Sequence, residues 1–178
     1  MRPDADEIGF VPVTPEHYGL LEGWLHAPHM RAWWGEPEEE LGFIRDMVEG
    51  RDTTQPYLIV VGGEPVGYIQ AWFIGHHQNE TWIKDNPWLA ELPAETVGVD
   101  LSIGEASLLS KGIGSAALAA FVRRLHDEGH RTIIIDPDPA NKRAVRAYEK
   151  AGFRPLRDLK GVPDETLIMQ YDPNANET

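Results

Sequence analysis

Asp100 interrupts Val97-Gly98-Val99-Asp100-Leu101, a run otherwise suited to a buried strand, and Asp136 directly follows Ile133-Ile134-Ile135. An acid in such a place is either paired in the interior or faces a cleft, and perturbed carboxylates in clefts are enriched at functional sites. In open α/β sheets ligands gather beyond the carboxyl ends of strands, which is where Asp136 falls. A carboxylate so placed can hold a cation and accept its proton. The structural alternatives are a salt-bridged Asp100 and an Asp136 that merely opens a turn before Pro137. Glu105 and Asp138 read as solvated surface charges. Tyr148, four residues after Ala144 on one helix face, suits either core packing or a site.

The second constellation is Lys111-Gly112-Ile113-Gly114-Ser115, between a strand and a helix. Glycines let backbone N–H groups approach an anion closely, and a helix start adds free donors and a positive dipole end. Together they describe a diphosphate cradle. A P-loop is rejected because its lysine follows the glycines, whereas Lys111 precedes them. Gly112-x-Gly114-x-x-Ala117 matches a dinucleotide fingerprint formally, with Asp136 downstream. That fold, however, wants a tight strand-to-helix turn, and only about forty residues follow Asp136 to complete its sheet. The plain alternative is a helix start with convenient glycines.

These groups need elements to hold them. Ile8–Val13 reads as a strand, and Thr14-Pro15-Glu16 as an N-cap with Pro at the first helical position, opening a helix to Leu25. A tryptophan-rich loop covers 29–35, and a helix starts near Pro37 with Leu41, Ile44, Met47 and Val48 on one face. Tyr57–Val61 and Val66–Phe73 form a hairpin across Gly62-Gly63. The polar stretch 75–96 reads as a long functional or mobile loop. Val97–Ile103 is a strand, Ile113 opens a helix with Ala117, Leu118, Phe121, Val122 and Leu125 as its stripe, and Arg131–Ile135 is a buried strand. Asn141–Ala151 is a helix ended by Gly152, and Thr166–Tyr171 a last strand.

Composition narrows the partners. The 178 residues suit one domain, residues 1–178, with 42% hydrophobic and 25% charged side chains. There is no cysteine, so disulfides, thiolate metal sites and an acyl-cysteine route are excluded. Transfer chemistry must then run directly from donor to acceptor or through another nucleophile. His76-His77 lacks a third ligand at suitable spacing, so no metal is expected. The net charge of −13 disfavours nucleic acid and acidic membranes and favours a small polycation. No apolar run reaches roughly 18 residues, and the first residues lack a signal-peptide pattern. A cytoplasmic protein, monomer or homodimer, is expected.

Leu109-Ser110-Lys111-Gly112-Ile113-Gly114 resembles motif A of the GNAT acetyltransferase superfamily, with Leu109 where Gln or Arg is usual. Asp136-Pro137-Asp138-Pro139-Ala140-Asn141 through Tyr148-Glu149-Lys150-Ala151-Gly152-Phe153 resembles its motif B. The resemblance spans roughly residues 8–171. It implies a GNAT fold of mixed α/β class, with a central mixed twisted sheet of about six or seven strands flanked by helices, and acetyl-CoA as co-substrate. It implies donor contacts from the backbone at Lys111, Gly112, Ile113, Gly114 and Ser115, from the strand edge at Leu101 and Ile103, and from Asn141, Ala144 and Tyr148. Backbone amides of Val97–Ile103 would then steady the developing oxyanion. Tyr148 would protonate the leaving thiolate.

Within that superfamily, Trp33-Trp34-Gly35, Pro56-Tyr57-Leu58, Gly63-Glu64-Pro65-Val66-Gly67-Tyr68-Ile69-Gln70, Gly98-Val99-Asp100 and the Asp136 segment look like aminoglycoside 6'-N-acetyltransferases. The resemblance implies Asp100 as general base, Asp136 as the group gripping the acceptor, and Trp34, Tyr57 and Gln70 as lining. One tryptophan of the Trp33-Trp34 pair is expected to anchor in the core. Residues 75–96 depart from the pattern. Two other readings stay open: a siderophore-biosynthetic lysine or hydroxylysine N-acyltransferase, which shares the Trp-Trp and Asp-Pro-Asp-Pro-like segments, and a non-catalytic sensor of acetyl-CoA or drug.

Overall fold

Seven strands form in the computed structural model, which describes residues 2–177, with near-continuous apolar runs in residues 57–61 and Ile133–Ile135. They hydrogen-bond in the order β1-β2-β3-β4-β5-β7-β6 with β1 Ile8–Pro12, β2 Gln55–Val61, β3 Glu64–Phe73, β4 Val97–Ile103, β5 Ile133–Ile135, β6 Phe153–Pro155 and β7 Met169–Tyr171. The mixed sheet flanked by helices is the one expected. The chain forms two compact units, one running to Ala71 with Leu101–Ala117, the other comprising Trp72–Asp100 and the chain from Leu118.

In the first unit β1 pairs antiparallel with β2, and β2 with β3. Gly62 and Gly63 join the hairpin with φ of +58° and +83°, the left-handed pair that matches strand twist. Helix α1 (Tyr18–Leu25) is preceded by a 3-10 turn, Pro15–His17, capped by Thr14. There the Thr14 amide donates to His17 Nδ1 at 3.0 Å, so histidine fills the place of the usual capping-box Glu. The expected loop at 29–35 instead opens as the single helical turn α2 (Pro28–Arg31), with Pro28 at its first position. Helix α3 (Pro37–Val48) carries Glu38, Glu39 and Glu40 in its first turn, where the dipole favours them. Leu21, Trp24, Leu25, Met30, Leu41, Ile44, Leu58 and Tyr68 form one buried cluster.

In the second unit β4 runs parallel to β5, while β7 pairs antiparallel with both β5 and β6. The strand at Phe153–Pro155 was not foreseen, and the two flanking it in the expectation are shorter, at Ile133–Ile135 and Met169–Tyr171. The segment 75–96 is not an open loop. It holds a 3-10 turn at Ile74–His77, helix α4 (Glu80–Asp85) capped by Asn79, and a second 3-10 turn at Pro87–Glu91. Trp88, Leu89 and Leu92 from it bury against Ile74, Ile134 and Ile168, and the Gln78 amide donates to the carbonyls of Leu89 and Leu92 at 2.9 and 2.8 Å. Polar residues thus cover a small core whose apolar members are too widely spaced to read as a period. Helix α5 (Ile113–Asp127) passes from the first unit into the second, and α6 (Lys142–Lys150) packs on β6. Among the described residues no helix is long and apolar enough to cross a membrane.

Candidate functional site

In the second unit, the parallel register explains why the two aspartates meet. Gly98 of β4 pairs with Ile134 of β5. Asp100 and Asp136 each lie two residues further on along the same direction, Asp100 within β4 and Asp136 just past the end of β5. Their side chains share a hydrogen bond, which requires one proton between the two carboxyls. Burial, then the neighbouring charge of Asp100, then that hydrogen bond push the Asp136 carboxyl well above the ordinary carboxylate range. Tyr148 on α6 belongs to the same cluster: burial, then the charges of Asp100 and Asp136, raise its hydroxyl above its usual value and keep it protonated. The acid pair and the tyrosine, read separately from the sequence, therefore lie within electrostatic reach of one another. Together they can bind a cation, take a proton and give one.

Asn141 caps α6, its Oδ1 accepting from the Ala144 amide at 3.3 Å. That bond commits the acceptor end of Asn141 and the amide of Ala144 to the helix start and leaves the Asn141 Nδ2 donor. Asp138 accepts from the Ala140 amide at 2.8 Å, an Asx turn. The His77 ring stands edge-on to Trp72 and Trp82, and its Nδ1 donates to the Phe73 carbonyl at 3.1 Å. Among the described residues no group of three or more His, Asp or Glu side chains is placed to hold a metal ion.

In the first unit, the loop before α5 takes the form of an anion cradle. Gly112 has φ of +79° and Ser110, a non-glycine residue, +59°. A left-handed non-glycine residue costs of order 1 kcal/mol or more and is characteristic of ligand clamps. The Ala116 amide makes the first helical bond, to the Gly112 carbonyl at 3.1 Å. The amides of Ile113, Gly114 and Ser115 precede it and have no acceptor within the helix. The Ser115 hydroxyl turns inward to the Gly112 carbonyl, 3.2 Å, leaving the mouth of the helix to backbone donors, with Lys111 exposed beside it. A Cβ built on Gly114 meets nothing within 4 Å, so open space adjoins the backbone where an anion would approach. The residues present fit a diphosphate.

The other expected residues also lie in the first unit. Trp34 is half-buried against the core cluster, edge-on to Tyr68 at 5.9 Å, while Trp33 is 43% exposed. Tyr68 donates to Gln70 Oε1 at 2.6 Å, so Trp34, Tyr68 and Gln70 make one packed array. Tyr57 is half-buried and donates to Gln55 Oε1 at 3.4 Å. Tyr68 escaped notice because an aromatic residue inside a strand looks like core. Two further contacts gave no signal in the sequence: His29 Nε2 lies 2.8 Å from the Ile103 carbonyl, and Trp24 Nε1 donates to Glu105 at 3.3 Å. Glu105 thus anchors a tryptophan and is not simply a solvated charge.

A mixed sheet, a backbone anion cradle at a helix start and a carboxylate pair beside a protonated tyrosine define an acyl-transfer protein of the GNAT class. Residues 14–160 match the model of the Acetyltransferase (GNAT) domain family, and the chain belongs to that family. It is 32% identical over 156 residues to the aminoglycoside N(6')-acetyltransferase type 1 of Klebsiella pneumoniae, covering 83% of this chain and 74% of that protein. Among solved structures it is similar to AAC(6')-Ib in complex with paromomycin and acetyl-CoA, with a TM-score of 0.78, 29% identity and 96% of each chain covered. It is also similar to AAC(6')-Ib with coenzyme A and kanamycin, with a TM-score of 0.77, 29% identity, and 94% of this chain and 96% of that one covered.

Proposed function

We propose that this protein transfers the acetyl group of acetyl-CoA to the 6'-amine of aminoglycosides, in the cytoplasm, and so confers resistance to them. The observation that carries the reading is the hydrogen-bonded pair of Asp100 and Asp136. A carboxylate pair that must share a proton when alone has its repulsion relieved by a polycation. The relatives named for aminoglycosides, and those solved with kanamycin or paromomycin, support the acceptor class.

Bound acetyl-CoA supplies the reactive thioester carbonyl. In the first unit the amides of Ile113, Gly114 and Ser115 would hold its diphosphate and the β4 edge at Leu101 and Ile103 its arm; in the second unit the Asn141 Nδ2 and Ala144 are the further donor contacts that the family resemblance implies. Asp136 grips the acceptor's ammonium groups. Asp100 accepts the proton that frees the attacking amine, since only the neutral amine is nucleophilic. A C–N bond forms as the C–S bond breaks. The amine's second proton leaves to solvent as the tetrahedral adduct collapses, while Tyr148 passes its own proton to the departing sulfur and is refilled from solvent. Trp34, Tyr57 and Gln70 line the acceptor side.

The test is thiol release by the purified protein with acetyl-CoA and a panel of kanamycin, paromomycin, lysine and N-hydroxylysine. Aminoglycoside-dependent release is expected. Release with the lysines alone would replace the acceptor, and none at all would leave a binding protein. Gly114→Val gives an independent check: its side chain has room, so the variant folds, yet it fills the space beside the cradle amides. Loss of coenzyme A binding by titration calorimetry, with an unchanged melting midpoint, is expected.

A further inference from the structure

The end of β4 is held by groups that the reaction does not use. The Gly104 amide donates to the Val66 carbonyl at 2.9 Å, on the β3 side. Across a trans peptide the C=O and N–H point in opposite directions, so the Ile103 carbonyl faces the other edge of β4. Among the described residues, β4 pairs with β5 at Val97 and Gly98, and β4 runs on to Ile103. A carbonyl on that stretch would normally be left to solvent or a ligand. Here His29 Nε2 takes it at 2.8 Å. The acceptor is a carbonyl, so Nε2 carries the hydrogen and donates it. Nδ1 is buried without a partner among the described residues, so Ile103 is the group that holds the ring.

The neighbouring residues restrain the same turn. A Cβ on Gly104 would run into the Trp24 indole, whose Nε1 donates to Glu105 Oε1 at 3.3 Å. A Cβ on Gly67 would meet the Ser102 carbonyl. Ser102 through Glu105 are thus gripped from β3, α1 and α2 of one unit.

We propose that His29 is a positioning residue for the acyl donor. By occupying the Ile103 carbonyl it ends the open edge of β4 there, fixes the last peptide plane, and leaves the Leu101 groups and the Ile103 amide as the edge offered to the donor's pantetheine arm. The proposal rests on the acetyl-CoA reading above, with one revision: Ile103 contributes its N–H and not its C=O. The expected signature is loss of donor affinity with acceptor affinity kept. Gln can reach with an amide N–H, whereas Phe keeps bulk without a donor.

Titration calorimetry of wild type, His29→Gln and His29→Phe with coenzyme A alone is the test. His29→Phe should weaken coenzyme A about five- to tenfold, the scale of one hydrogen bond made to a fixed group, and His29→Gln should stay within about twofold of wild type. In the acetylation assay the acetyl-CoA KM should rise for His29→Phe with the kanamycin KM unchanged. Equal coenzyme A affinity in all three proteins, or equal weakening by Gln and Phe, overturns the proposal. If His29→Phe does not fold, imidazole 15N spectra of wild type decide: a retained Nε2–H tautomer on adding coenzyme A supports it, and a switch to Nδ1–H overturns it. Failure of wild type to bind coenzyme A at all would instead sink the acetyl-CoA reading itself.

Discussion

Asp100 and Asp136 show why two acids that look alike in the sequence divide their tasks. They share a hydrogen bond, and burial, then the charge of Asp100, raise the Asp136 carboxyl, while the proposed function gives the base's task to Asp100. Asp100→Asn should therefore cut kcat by about 10²–10⁴-fold, the usual worth of a positioned base, with coenzyme A affinity by calorimetry unchanged. Near-normal turnover would remove Asp100 from the chemistry. The raised acid also has a cost for the unliganded protein. A carboxyl that binds its proton more tightly folded than unfolded stabilises the fold below the ordinary carboxylate range, and that contribution drains away as pH climbs through its raised value. Asp136→Asn should flatten this decline. At neutral pH it should raise the melting midpoint by about 2–4 °C, the shift expected from about 1 kcal/mol in a chain of this size, while weakening kanamycin. Thermal melts across the pH range check it, and a midpoint that falls would show that the pair stabilises the empty protein.

Elements were legible where one feature dominated a window. The α5 stripe from Ala117 to Leu125, the β4 limits and the Asn141 cap with Gly152 at the far end all read directly, because periodicity and capping residues act locally. So did the turn that opens α5, where Gly112 takes a positive φ, since a glycine before a helix acts locally. What did not read were contacts between stretches far apart in the chain: the meeting of Asp100 and Asp136, the His29–Ile103 bond, and the short strand Phe153–Pro155, which pairs with β7. The segment 75–96 failed for a related reason. Its buried residues, Trp88, Leu89 and Leu92, are too few for a periodic signal, yet they fill space against β5 and the chain before β7. If that segment is a packed layer, Trp88→Ala should cost about 3–5 kcal/mol, as for other buried aromatics. Denaturant titration measures the loss, and hydrogen exchange should show protection falling across 74–96. A cost under about 1 kcal/mol would return the segment to the class of loops.

At the scale of the whole molecule, the charge of −13 acts on the two substrates with opposite sign. An aminoglycoside carries several ammonium groups and is drawn toward such a field, whereas acetyl-CoA is a polyanion and must enter against it. Under the proposed function the cradle would answer this with fixed backbone dipoles at close range, which salt screens little, so donor binding would depend on short contacts and acceptor capture on long-range attraction. Raising salt from about 0.02 to about 0.5 M shortens the screening length from several residues to less than one side chain. Under the proposed function kcat/KM for kanamycin should fall about tenfold or more over that range, and the acetyl-CoA KM should hold or drop. Steady-state rates at fixed pH with each substrate varied in turn give both numbers. If the two substrates respond alike, the protein's net charge has no part in choosing the acceptor, and selection must lie wholly in the local grip of Asp136 and the lining at Trp34, Tyr57 and Gln70.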